Sequence, residues 1–76
     1  MDEKKNSEII EIDSDCIRLD AILKLSGVAV TGGQAKYLIQ NGKVIVNGKI
    51  CTIRGKKLID NDIVEYKNVK YKVQIK

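Results

Sequence analysis

The sequence predicts a single α+β domain, in which a short helical hairpin packs on a small twisted antiparallel sheet. Two observations lead to this fold class, and a third argues against a membrane span. The 76 residues suffice for one core, which buries roughly 60% of the surface that the unfolded chain exposes. Two segments with helical spacing follow each other, and short β-branched runs separated by turn residues come after them. No run approaches the roughly 18 apolar residues of a membrane span, so we expect no membrane partner.

The first element is a strand that follows a polar start. Residues 1–7 are polar, and we expect them to be flexible, so that the domain occupies residues 8–76. The run Glu8 to Ile12 predicts a short strand, because three isoleucines need cover and isoleucine favours strands.

Two short helices come next. The spacing of the apolar residues predicts a first helix over about Leu19 to Ser26, and Gly27 is a stop signal. Thr31 is a good N-cap for a second helix, which ends near Gly42, a residue suited to the left-handed conformation. The apolar stripe of the second helix consists of Ala35, Leu38 and Ile39.

Strands fill the second half of the chain. Lys43–Val46 and Lys49–Thr52 flank Asn47–Gly48, which predicts a hairpin because both turn positions need positive φ. Ile63–Tyr66 and Val69–Ile75 are the last two predicted strands.

Charge is distributed unevenly. Residues 21–76 hold eleven bases and three acids, whereas residues 1–20 hold three bases and seven acids. Residues 21–59 contain no acid at all, and their seven bases are Lys24, Lys36, Lys43, Lys49, Arg54, Lys56 and Lys57. Such a segment predicts a partner that is a polyanion. The alternative is a lysine-rich surface kept for solubility, although such surfaces usually mix both signs.

The composition argues against an enzyme. Without histidine the chain has no histidine-based triad and no histidine metal ligand, and two cysteines cannot complete a four-ligand zinc site. We therefore expect no catalytic residue, no metal and no cofactor. The N-terminus leads into no apolar run, so we expect a cytoplasmic protein in which Cys16 and Cys51 are reduced.

The start of the second helix is the first candidate binding site. A helix N-terminus presents unpaired N–H groups, and two glycines would let a phosphate approach the backbone closely. The residues of this site are Thr31, Gly32, Gly33, Gln34 and Lys36. The alternative is an ordinary capped helix with a flexible entry.

The second candidate is the basic loop, defined as residues 54–57. Arg54, Lys56 and Lys57 surround a glycine and could follow a phosphate backbone; alternatively, they form a solvated charged loop. Arg18 could face the same ligand or pair with Asp15 or Asp20. Peripheral phosphate contacts are expected from Lys24, Lys43 and Lys49.

These residues resemble a known family. The resemblance rests on Ile17-Arg18-Leu19-Asp20 with Leu23-Lys24 and Gly27, on Ala35, Leu38-Ile39 and Gly42, on Val44, Val46-Asn47-Gly48, and on Asp62-Ile63-Val64. In this order the residues look like the RNA-binding domain named after ribosomal protein S-four, also called the alpha-L motif. The resemblance covers residues 17–66 and implies a solitary domain that binds structured RNA.

One position departs from the family pattern. The family commonly begins its second helix with Ser-Arg, whereas this chain has Thr31-Gly32. In this respect, and in its basic loop, the chain resembles the small stand-alone bacterial subgroup called YaaA or YbcJ. The resemblance implies that Arg18, Lys36 and the basic loop face RNA, and we infer that the backbone amides of Gly32 and Gly33 replace the lost arginine.

We therefore predict a protein that docks structured RNA, ribosomal or transfer RNA, without catalysis. The alternative is a protein-interaction module that docks on an acidic or ribosome-associated partner such as a ribosomal protein. A monomer is the expected state.

Overall fold

The computed structural model describes residues 7–76 and confirms the α+β fold class. Within these residues the elements are β1 (Ser7–Ile12), β2 (Ile17–Arg18), α1 (Leu19–Leu25), α2 (Gly32–Gln40), β3 (Ile45–Val46), β4 (Lys49–Ile50), β5 (Lys57–Leu58), β6 (Ile63–Tyr66) and β7 (Val69–Ile75). The main sheet has the strand order β1-β7-β6-β3-β4, and β2 pairs with β5 in a separate two-stranded sheet.

The main sheet is mixed, which differs at one edge from the antiparallel sheet that we expected. The pairs β7–β6, β6–β3 and β3–β4 are antiparallel, but β1 runs parallel to β7. Parallel neighbours need a long connection between them. Here both helices and the other five strands form that connection.

The edge strand β1 begins earlier than predicted. Ser7, which we grouped with the flexible start, is the first residue of β1 and lies opposite Lys70 of β7. The expectation for residues 1–6 lies outside the described residues. Ile12 is buried and Ile10 half-buried, whereas Ile9 points to the other face and is 60% exposed. This alternation is the period-two pattern of a strand with one covered face.

The core joins the helical hairpin to the main sheet. Leu19, Ile22 and Leu23 of α1 and the stripe of α2 are buried in one cluster with side chains of the sheet, among them Val64 and Val73.

Burial raises the pKa of the Tyr71 hydroxyl, and Glu8 opposite it on β1 adds to this effect. Neither helix in residues 7–76 is long and apolar enough to cross a membrane.

The end of α2 explains why β3 starts later than predicted. The N–H of Gly42 donates to the Ile39 carbonyl, and the N–H of Lys43 donates to the Leu38 carbonyl. With Gly42 at φ 72°, this is the Schellman arrangement that closes a helix. The backbone of Lys43 therefore still belongs to the helix end, and pairing begins at Ile45.

A tight turn connects β3 to β4, and its first residue also binds the segment before β6. Asn47 and Gly48 have φ values of 50° and 87°, as predicted for the hairpin between β3 and β4. The Asn47 side chain also binds the start of β6. Its Nδ2 donates to Asp62 Oδ1 (3.1 Å), and its Oδ1 accepts from the Ile63 N–H (2.9 Å). Asp62 Oδ2 accepts from the Ile59 N–H at 2.8 Å. Asp62 therefore ties three segments of the sheet together.

We expect Asp62→Ala to lower the free energy of unfolding by about 2 kcal/mol, because the Ile59 amide and the Asn47 side chain both lose an acceptor. Asp60→Ala is the comparison: Asp60 accepts one hydrogen bond, from the Ile75 N–H, and we expect a loss of about 1 kcal/mol. Urea unfolding of both variants measures the difference. Equal losses would contradict the central role of Asp62.

Candidate nucleic-acid interface

The basic loop is attached to the start of α1 by backbone hydrogen bonds. The Leu19 N–H donates to the Lys56 carbonyl (2.8 Å), and the Asp20 N–H donates to the Arg54 carbonyl (3.2 Å). In the small sheet Arg18 of β2 lies opposite Lys57 of β5. The loop therefore takes the place of a side-chain cap on α1 and brings its basic side chains beside Arg18.

Asp20 joins Arg18 to Arg54. Its Oδ2 accepts from Arg18 Nη2 at 3.2 Å and from Arg54 Nε at 3.1 Å. The Asp20 side chain is only 13% exposed, whereas Arg18 is 57% and Arg54 41% exposed. The carboxylate thus lies beneath two guanidinium groups that face solvent. Of the two partners left open for Arg18 by the sequence, the structure gives Asp20.

Two glycines leave space for these guanidinium groups. A Cβ atom on Gly55 would lie 3.5 Å from Arg18 Nη2 and 3.7 Å from its Cζ, so the guanidinium rests against the bare backbone. A Cβ atom on Gly32 would lie 4.0 Å from Arg54 Nη2. The loop arginine therefore reaches the start of α2. The structure brings two candidate sites and Arg18 into one surface, the arginine face, defined as Arg18, Gly32, Arg54 and Gly55.

Thr31 and Gln34 hold the start of α2 in shape. Thr31 Oγ1 accepts from the Gln34 N–H (3.1 Å), and Gln34 Oε1 accepts from the Val30 N–H (2.7 Å). This is close to the reciprocal capping box of helix N-termini. The N-cap predicted for Thr31 is confirmed, and both side chains have a structural role. The amides of Gly32 and Gly33, in the first turn, have no acceptor within the helix.

The remaining candidate lysines are spread more widely. Lys36, Lys56 and Lys57 are exposed, the first on α2 and the other two on the loop. Lys24 lies at the opposite end of α1 from Arg18, and Lys43 follows the end of α2 opposite to Thr31. A direct contact of either with RNA, and that of Lys49 on β4, stays a prediction.

An open groove of about 340 Å³ adjoins the basic loop on its other side. Its walls include Ile50, Cys51, Thr52 and Ile53, together with Lys49 and Lys56. Ile50 and Ile53 are 64% and 63% exposed, which is unusual for large apolar side chains. Cys51 is a free, half-buried thiol, as is Cys16.

Sequence reasoning missed three features of this surface. The strands β2 and β5 have two residues each and leave no periodic pattern. The role of Asp20 as shared acceptor was not foreseen, although Asp20 is the only acid between Asp15 and Asp60. Gly55 gave no signal beyond its place between bases, because its neighbour Arg18 is distant in sequence.

Two helices on a mixed sheet, with a basic loop docked on the first helix, define a small α+β domain of the alpha-L type. The chain belongs to the S4 domain family, whose model matches residues 10–74. This confirms the family suggested by the sequence motifs.

The chain is also similar to a curated bacterial protein. The probable ribosome maturation protein RlbA of Bacillus subtilis (strain 168) is 41% identical over 56 residues, which cover 74% of this chain and 79% of the relative. This similarity and the family together support an RNA-binding, ribosome-related class for the chain.

We expect Thr31→Val to lower the free energy of unfolding by about 1 kcal/mol, because the Gln34 amide loses its acceptor while the side-chain shape is kept. Thr31→Ser keeps the hydroxyl and serves as the control, with stability near that of the wild type. Thermal and urea unfolding measure both. A valine variant as stable as the serine variant would show that the cap contributes little.

Proposed function

We propose that this protein binds structured RNA, ribosomal or transfer RNA, and that it catalyses no reaction. The observation that carries the proposal is the arginine face, where Arg18 and Arg54 lie together beside the start of α2. Three of its four residues, all except Arg18, lie in a segment of 39 residues, 21–59, that contains no acid. Arginine forks match phosphate oxygens, so this surface suits a phosphate backbone.

The phosphate contacts follow from this geometry. Arg18 and Arg54 bind phosphate oxygens with the N–H groups that Asp20 does not use, and the exposed Lys56 and Lys57 neutralise neighbouring phosphates. The first-turn amides of Gly32 and Gly33 add hydrogen-bond donors, and neither residue has a side chain of its own that would cover its amide. Lys36 lies one turn further along α2 and extends the same surface.

The RNA is recognised by its shape rather than by its bases. The chain has three aromatic residues, of which Tyr71 is buried and Tyr37 is exposed on α2. Sequence-specific recognition of single strands relies on several stacking aromatic side chains. A surface of cations and backbone amides instead suits the regular phosphate spacing of helical or folded RNA.

The relative named for ribosome maturation favours ribosomal RNA among the possible targets. A protein with that target works in the cytoplasm, and we propose a monomer whose arginine face docks on ribosomal RNA, with ribosomal proteins as possible neighbours. Contact with three to five phosphates gives a slope of log affinity against log salt of about −3 to −4.5. An NMR titration with folded ribosomal-RNA fragments at two salt concentrations tests this, and shifts absent at both concentrations would refute it.

We expect Lys56→Glu with Lys57→Glu to weaken RNA binding and to make the salt slope shallower by about 2, one for each lost phosphate contact. Fluorescence anisotropy with a ribosomal-RNA stem–loop measures both. The matched control is Lys70→Glu with Lys72→Glu, on the exposed face of β7. Both variants lower the formal net charge from +4 to zero. Equal losses in the two variants would mean that overall charge, and not this loop, binds the RNA.

A second candidate function is docking on a ribosome-associated protein, and the groove is the observation that favours it. Ile50 belongs to β4, an edge strand of the main sheet, and Ile53 follows that strand; both are exposed, and Lys49 and Lys56 line the same groove. An extended segment with apolar side chains and acidic neighbours would fit such a surface.

For this second function we expect Ile53→Ser to weaken binding to intact ribosomal subunits while the affinity for naked ribosomal RNA stays unchanged. Ile59→Ser is the matched control, because Ile59 is 58% exposed and does not line the groove. Sedimentation with purified subunits, at low and high salt, measures the binding. If Ile53→Ser and Ile59→Ser bind subunits as the wild type does, the groove has no docking role.

A further inference from the structure

We propose that Asp20 is a positioning residue, which holds the guanidinium groups of Arg18 and Arg54 together as one site for a single phosphodiester group. The inference rests on the proposed RNA binding and deepens it. It assigns a role to an acid that, by charge alone, should weaken the binding of a polyanion.

The hydrogen bonds define the pair. Both arginines donate to the same atom, Asp20 Oδ2, from Arg18 Nη2 at 3.2 Å and from Arg54 Nε at 3.1 Å. Each guanidinium has five N–H donors, so each keeps several for another acceptor. Because the donors are fixed to one oxygen, the two forks are ordered before any ligand arrives. Ordering in advance lowers the entropy cost of binding.

The charges of the three groups do not balance. Two arginines, which stay protonated, and one carboxylate leave a charge of one positive unit. Two cations that meet on one oxygen also repel each other. A phosphodiester carries one negative charge, so a single group would neutralise the cluster. The phosphodiester binds on the side of the arginines, because their side chains are 57% and 41% exposed, whereas the carboxylate below them is 13% exposed.

Gly55 contributes space to this site. A Cβ atom there would lie in ordinary contact with the Arg18 guanidinium, at 3.5 Å from Nη2, so alanine is accommodated. A branched side chain would extend into the guanidinium and push it off Asp20. The position of Arg18 therefore depends on a side chain no larger than a methyl group at residue 55.

The test compares two variants that each raise the formal net charge from +4 to +5. If the arginines acted as independent charges, Asp20→Asn would bind RNA more tightly. We expect it instead to weaken binding of a ribosomal-RNA stem–loop by about fivefold or more. Glu65→Gln, on β6 opposite Lys70, should bind as tightly as the wild type or slightly more so. Asp20→Asn binding as tightly as the wild type, or equal weakening in both variants, would overturn the inference.

A measurement without RNA tests the positioning itself. In the free wild type, the Arg54 Nε–H donates to Asp20, so its NMR signal should exchange slowly with water. In Asp20→Asn this exchange should accelerate, with thermal unfolding as the check of folding. An unchanged exchange rate would overturn the inference.

A steric pair covers the case in which Asp20→Asn does not fold. Gly55→Val should weaken RNA binding about fivefold with the charge unchanged, and Gly55→Ala should bind like the wild type. Equal binding by the valine and alanine variants would overturn the inference. Wild-type protein that binds no folded RNA at any salt would refute the proposed function itself, whereas intact wild-type binding with a tight Asp20→Asn variant would refute only the role of Asp20.

Discussion

The first backbone amides of α1 find their acceptors in a loop that lies far along the chain. Leu19 and Asp20 donate to the carbonyls of Lys56 and Arg54, and Arg18 at the N-cap position makes no side-chain cap bond. Helix ends need such partners, so α1 is complete only when the basic loop is docked. The same two bonds fix the backbone from which Arg54 extends. The helix start and the arginine face are therefore one structural unit.

On the arginine face, the charge pattern attracts a polyanion, whereas the hydrogen bonds order the side chains that bind it. An acid-free run of 39 residues creates a positive field that attracts any polyanion over several ångströms and is screened by salt. The field cannot order a side chain. Asp20 does so, because it lies below both guanidinium groups and binds each through one oxygen. One acid within a basic surface thus reduces the net field slightly and fixes the geometry of its two strongest donors.

What could be predicted from the sequence is what depends on neighbours in the chain. The N-cap at Thr31, the left-handed Gly42 and the Asn47–Gly48 turn all follow from local backbone preferences, and the structure confirms them. The strands β2 and β5 could not be predicted, because two residues become a strand only through a partner about 40 positions away. The parallel edge at β1 and the shared role of Asp20, 34 residues from Arg54, also depend on tertiary packing.

Gly32 shows how a lost side chain can be replaced from another segment. The family pattern places an arginine directly after the N-cap, and the inference from the sequence is that the backbone amides of Gly32 and Gly33 replace it here. In the structure Arg54 Nη2 lies 4.0 Å from where a Cβ atom on Gly32 would be, so a guanidinium is present at the start of α2 after all. It comes from the loop rather than from the helix. Because the loop is held by the amides of α1, positive charge at the start of α2 depends on the start of α1. The two helices of the hairpin thus share one cationic surface, and the loop arginine lies against residue 32 at the start of α2.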